Sequence, residues 1–170
     1  MSRKTLTEKM LILIDGIIKE YGAFAFPYKG AGHHFKKYKG SLSKALYELR
    51  HRGYLEEIEI NNTKALRLTG KAKLKIISID RKIKWDGLWR LVAFDIEETK
   101  KKTRDIFRDK LKSLGFKQIQ KSLWINPFDI SEQIEELIDL LYLHDNVRYF
   151  VTKIITNDDE YLDLFGLEKR

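Results

Sequence analysis

The chain has 170 residues, 43% of them apolar, and no cysteine. That is ample for packed cores, and it excludes disulfide staples, thiolate zinc sites and cysteine nucleophiles. Its +8 formal charge is one-sided: residues 1–84 hold 19 Lys/Arg against 8 Asp/Glu, whereas residues 85–170 hold 14 against 17, the balance of a nucleic-acid-binding half joined to a second module. Nothing approaches 18 consecutive apolar residues, so no membrane span is expected. The apolar run at residues 10–14 is too short for a signal-peptide core, which favours a cytoplasmic location.

In chain order, Thr5 and Glu8 have capping-box spacing. Leu6, Met10, Leu13, Ile14, Ile17 and Tyr21 then recur at helical intervals, predicting a first helix that ends near Gly22. Residues 24–32, broken by Pro27, Gly30 and Gly32, read as loop. A short helix is expected at residues 33–39. Gly40 and Ser41 then introduce a further helix over residues 42–52, with Leu42, Ala45, Leu46 and Leu49 as its apolar stripe and Gly53 as its stop. Ile58 and Ile60 alternate with Glu57 and Glu59, residues 61–64 read as a turn, and Leu66 and Leu68 alternate with polar neighbours: a β-hairpin. After Gly70 the basic run at residues 71–75 begins another short helix or an extension toward the linker. Three helices and a hairpin are the order of a winged helix-turn-helix, assigned to residues 1–80.

In that reading the helix at residues 42–52 enters the major groove. Ser43, Lys44, Tyr47, Arg50 and His51 are its candidate DNA contacts, Lys36 and Lys37 precede it at the backbone, and Lys64 and Arg67 lie at or near the wing tip. The bland alternative is an ordinary charged solvent face. The four histidines show no zinc spacing, so no metal site is expected from them.

Residues 85–170 read as βαββαβ, the split βαβ of ferredoxin-like folds. The strands are placed at residues 88–95, 116–120, 123–125 and 147–155. The helices are at residues 99–114, with Ile106, Phe107, Leu111 and Leu114 inward, and after Asp129 or Ser131, with Ile134, Leu137, Ile138 and Leu141 inward. Residues 158–170 are expected to form one helical turn or to pack against a partner. The fold class is thus α+β. The continuous apolar run Leu91–Val92–Ala93–Phe94 ends at Asp95, a carboxylate at the end of a central strand. Such an acid either accepts N–H groups of the following loop or caps the next helix, or it does chemistry.

Trp85-Asp86-Gly87-x-Trp89-Arg90-x-Val92-x-Phe94-Asp95-Ile96, with Leu114-Gly115-Phe116 and Gln120-Lys121-Ser122-Leu123-Trp124-Ile125, resembles the middle domain of PaaX-like transcriptional repressors. That domain is in turn similar to the second CRISPR-associated protein, a ferredoxin-like nuclease. The resemblance covers residues 85–155 and, more loosely, the preceding winged helix. It does not reach the third domain of the longest repressors and implies no aromatic acyl-CoA effector. With the one-sided charge and the polar face of the helix at residues 42–52, it points to a sequence-specific regulator, a repressor by family pattern, that reads double-stranded DNA through residues 1–80 and forms a homodimer through residues 85–170; no cofactor is expected, and enzymatic activity is left open. The alternative it implies is a Mg²⁺-dependent endonuclease or CRISPR adaptation subunit, in which Asp95 is both metal ligand and catalytic residue.

Overall fold

The structure, a computed structural model, describes residues 5–20, 26–27, 42–77 and 84–168. The chain divides into two units, Met1–Ile77 and Ser78–Arg170.

In the first unit, helix α1 spans Leu6–Glu20. The capping box forms as expected: Thr5 N–H donates to Glu8 Oε2 at 2.8 Å and Glu8 N–H to Thr5 Oγ1 at 3.2 Å, satisfying donors that the first turn leaves unpaired. Its buried stripe is Met10, Leu11, Ile14 and Ile17, while Leu6 stays 65% exposed. The expected stripe is therefore corrected. Leu11 joins Met10 and Ile14 in a band wider than strict i, i+3, i+4 spacing, and Leu6 opens the helix a turn before that band begins.

Phe26–Pro27, read as loop, forms a short strand β1 paired with Leu66 and Ala65. A proline lacks the N–H of a ladder donor, and β1 is an edge strand, where this is tolerated. The helix expected at residues 33–39 lies outside the described residues. Helix α2 is Leu42–His51, with Leu46 and Leu49 buried. Gly53, at φ +70°, ends it, and Tyr54 N–H donates back to Leu49 O at 2.8 Å, a glycine-centred C-terminal cap.

Strands β2 (Leu55–Ile60) and β3 (Thr63–Leu68) form a hairpin in the sheet order β1-β3-β2. The turn is two residues, Asn61 and Asn62, both at positive φ, the asparagine-tolerated geometry of a tight hairpin. Thr63 and Lys64, expected in the turn, are strand residues. The register pairs Glu57 with Leu66 and Ile58 with Ala65. Leu55, Glu57, Glu59, Lys64, Leu66 and Leu68 therefore share one face, and Ile58 and Ile60 lie on the other. Helix α3 (Gly70–Ile76) is capped by Thr69, whose Oγ1 accepts from Ala72 N–H at 3.3 Å.

The second unit has β4 (Trp89–Phe94), a 3-10 turn at Glu98–Lys100, α4 (Lys101–Ser113), β5 (Lys117–Gln120), β6 (Leu123–Asn126), α5 (Ser131–Leu141), β7 (Val147–Thr152) and α6 (Asp158–Phe165). All neighbouring strands are antiparallel in the order β5-β6-β4-β7. Through α5 and β7 this is the expected βαββαβ order. Phe107, Leu111, Ile134 and Leu137 are buried on α4 and α5. Ile106 is 43% exposed, because the inward positions 107, 111 and 114 leave it about 100° off the stripe.

The tail corrects its expectation. It is a two-turn helix on its own unit's sheet. Leu162 packs with Trp89 and Ile125, the Trp89 ring lies 6.2 Å from Tyr161 and 6.0 Å from Phe165, and Trp89 Nε1–H donates to Asp158 at 2.7 Å.

Candidate nucleic-acid interface

The residues that would read a groove must be exposed, on one face and not already spent. Lys44, Tyr47 and His51 meet the first two conditions. They lie at i, i+3 and i+7 of α2, opposite Leu46 and Leu49, and Tyr47 is 64% exposed. The Tyr47 and His51 rings stack with centroids 6.1 Å apart and planes 7° apart, making one flat aromatic surface along the helix. Among the described residues Lys44 makes no hydrogen bond or ion pair, so its ammonium can reach a phosphate or a base edge. Glu48 is held by Arg52 at 3.8 Å.

The other cations of this face are spent on carboxylates. Arg50 Nη2 lies 3.2 Å from Glu57 and Lys64 Nζ lies 2.9 Å from the same carboxylate. Lys64 is the second residue of β3, not the tip, and its ammonium holds the Glu57 carboxyl below its usual range, with Arg50 adding to the effect. On the opposite face of the hairpin Arg67 Nε donates to Glu56 at 2.8 Å. Two of the three lysines of α3 are likewise engaged: Lys71 Nζ donates to Arg52 O at 2.8 Å and lies over the Tyr54 ring, and Lys75 pairs with Glu8 at 3.5 Å. Lys36 and Lys37 lie outside the described residues. Ser43 lies in α2, its side chain outside them. Glu57 was not singled out in the sequence; a glutamate on the leucine-bearing face of a strand was the available signal.

Asp95 lies in the second unit, at the end of β4. Its backbone is pinned to Asn146: Asp95 N–H donates to Asn146 O and Asn146 Nδ2–H to Asp95 O, each at 2.8 Å. Among the described residues the carboxylate accepts no hydrogen bond. The expectation that it takes loop N–H groups or caps the next helix is thus corrected; the main chain does the anchoring and the side chain is exposed. It lines an open concavity of about 650 Å³ with Lys121, Asp145, Asn146 and Arg148. Arg148 Nη1 is turned to the His144, Asp145 and Val147 carbonyls. Among the described residues no group of three His, Asp or Glu side chains could hold a metal.

The motif residues around Asp95 build structure. Arg90, 2% exposed, donates from Nη1 and Nη2 to the two Asp86 oxygens at 2.6 Å each, and also to Leu88 O and Pro127 O. Asp86 also accepts from Leu88 N–H, around Gly87 at φ +87°. Buried Asn126 donates to Leu114 O and accepts from Phe128 N–H, both at 2.8 Å, tying the end of α4 to β6.

Residues 82–162 match the family model described as the PaaX protein central Cas2-like domain. No curated protein matches the chain. Among the described residues no helix is long and apolar enough to cross a membrane.

Proposed function

The domain over residues 82–162 belongs to the PaaX central Cas2-like family, and on that premise we propose that the protein is a cytoplasmic, dimeric, DNA-binding transcription regulator, a repressor by family pattern. The observation that carries the reading is the unspent face of α2: Lys44, Tyr47 and His51 stand together, exposed, on the helix preceding a tight hairpin. In this reading the first unit is a winged helix-turn-helix, α2 lies in the major groove and the hairpin is the wing.

A single such module makes few base contacts, and a two-fold dimer on a palindrome doubles them. The second unit supplies an edge for this. Of the two edge strands, β5 exposes Lys117, Gln118 and Gln120, whereas β7 exposes Phe150 and Val151 beside Arg148, followed by Ile154. An exposed apolar edge strand is a template for a second copy.

One observation favours a Mg²⁺-dependent nuclease: the exposed, unpartnered Asp95 carboxylate with Asp145 in the same concavity. Hard oxygen ligands of this kind suit Mg²⁺. Duplex binding and cleavage, measured side by side with Mg²⁺ and with chelator, separate the two. The regulator retains duplex under both conditions and yields no product. Mg²⁺-dependent product that disappears in Asp95→Asn would establish the nuclease instead.

A further inference from the structure

We infer that Glu57 is a built-in brake on DNA binding, a carboxylate that occupies two cations of the reading surface, Arg50 and Lys64, and competes with phosphate for them. The inference rests on the regulator reading and specifies how its affinity is set. Three elements converge on this one side chain: α2 sends Arg50, β3 sends Lys64, and β2 carries Glu57 itself, with contacts of 3.2 and 2.9 Å. The register places Glu57 on the hairpin face it shares with buried Leu66. A carboxylate there presents anionic oxygens between the reading helix and the wing, as a phosphate between the two would.

The hold is of displaceable strength. The side chains are 39%, 28% and 75% exposed for Arg50, Glu57 and Lys64, and ion pairs this open contribute little each. A dense row of phosphates can therefore recruit Arg50 and Lys64, but every such contact must first break a pair with Glu57. The Glu57 carboxyl is held below its ordinary range by Lys64 and Arg50, so the brake stays charged at neutral pH. It acts equally on all sequences, because it competes with backbone contacts and not with base edges.

Glu57→Gln keeps the side-chain shape and removes the charge. Glu59→Gln is its control: Glu59 lies on the same face, directly opposite Lys64, acts on that ammonium only through the weakest of its electrostatic influences, and makes no ion pair among the described residues. Both variants change the net charge equally. Duplex affinity is measured for each, and for Glu57→Gln combined with Arg50→Ala and Lys64→Ala. Glu57→Gln should bind specific and random duplex about 3- to 30-fold more tightly than wild type. Glu59→Gln should gain less than a third of that, and the gain should vanish without Arg50 and Lys64. A Glu57→Gln gain no larger than that of Glu59→Gln, or one that persists without the two cations, overturns the brake while leaving the regulator reading intact. Failure of wild type and all variants to bind any duplex at low salt overturns both.

Discussion

Asp86 and Arg90 form a bidentate ion pair, 2.6 Å at both oxygens, in which the guanidinium is buried and the carboxylate is half exposed. The pair closes the turn before β4, and Asp129 lies 3.7 Å from the same guanidinium at the start of α5. Removing Asp86 leaves the buried guanidinium with only two carbonyls and the more distant Asp129 carboxylate, and breaking a buried pair from one side is costly. Asp86→Ala should cost about 3 kcal/mol in denaturant unfolding of the second unit. Arg90 holds the Asp86 carboxyl down at about 2, from 3.8. A depressed carboxyl contributes stability above its unfolded value and loses it as pH falls, so the contribution should fade between pH 3.8 and about 2. Tyr149, beside Arg90, is pushed up from 10.0 to about 12 by burial. That contribution is complete below pH 10 and fades as pH rises toward 12. Asp86→Ala should remove the acid limb and only slightly shorten the alkaline one, to which its charge adds little, and a variant with wild-type acid stability would show that the pair does not hold the turn.

Sequence discrimination should reside in α2. Lys44→Ala and Tyr47→Ala should each weaken binding to the selected operator by about 1–3 kcal/mol, with a smaller effect on random duplex. His51→Ala, which unstacks the Tyr47 ring, should act in the same direction. Competition assays against random DNA read this directly. Equal losses on operator and random duplex would assign these residues to the backbone.

The dimer and the tail should separate experimentally. Phe150→Glu or Val151→Glu, at exposed positions of β7, should weaken self-association by about 1–3 kcal/mol without loss of helix or sheet. Deleting residues 158–170 uncovers Trp89 and Ile125 within the same unit, and should lower its stability by about 3 kcal/mol. Light scattering that shows monomer for wild type at tens of micromolar, an order-of-magnitude choice for moderate association, contradicts the dimer. So does an unchanged dimer in both β7 variants.

Much of this architecture was legible. The Thr5–Glu8 box, the Gly53 stop and the βαββαβ order depend on local chemistry at fixed spacing, and each is present as read. What was not legible depends on tertiary partners. Phe26–Pro27 becomes a strand only because β3 offers a free edge. Glu57 shares the face of Leu66 and Leu68 whether the turn has two residues or four, but the turn length shifts its cross-strand partners by two positions and so decides which cations meet which carboxylates. Asp95 was read from its position after an apolar run, which cannot tell main-chain anchoring from side-chain anchoring. Average charge also concealed a division in the second half. Residues 98–121 hold nine Lys/Arg and three Asp/Glu, and residues 129–168 hold two and eleven, so a net −3 describes neither surface.

Asp95→Asn follows from the same geometry. The carboxylate is exposed and accepts no hydrogen bond among the described residues, so its amide should alter stability by less than about 0.5 kcal/mol. It should leave duplex affinity unchanged, and neither protein should cut DNA with Mg²⁺. A loss of more than about 1 kcal/mol would mean that the side chain anchors the strand end after all.

Salt dependence tests the central claim most directly. A dimer gripping duplex through a basic amino-terminal half at roughly six to ten phosphates should give a slope of log affinity against log salt of about −5 to −9. Residues 85–170 alone should give no measurable binding. A slope near zero, or binding retained by residues 85–170 alone, would contradict the assignment of DNA binding to the first unit.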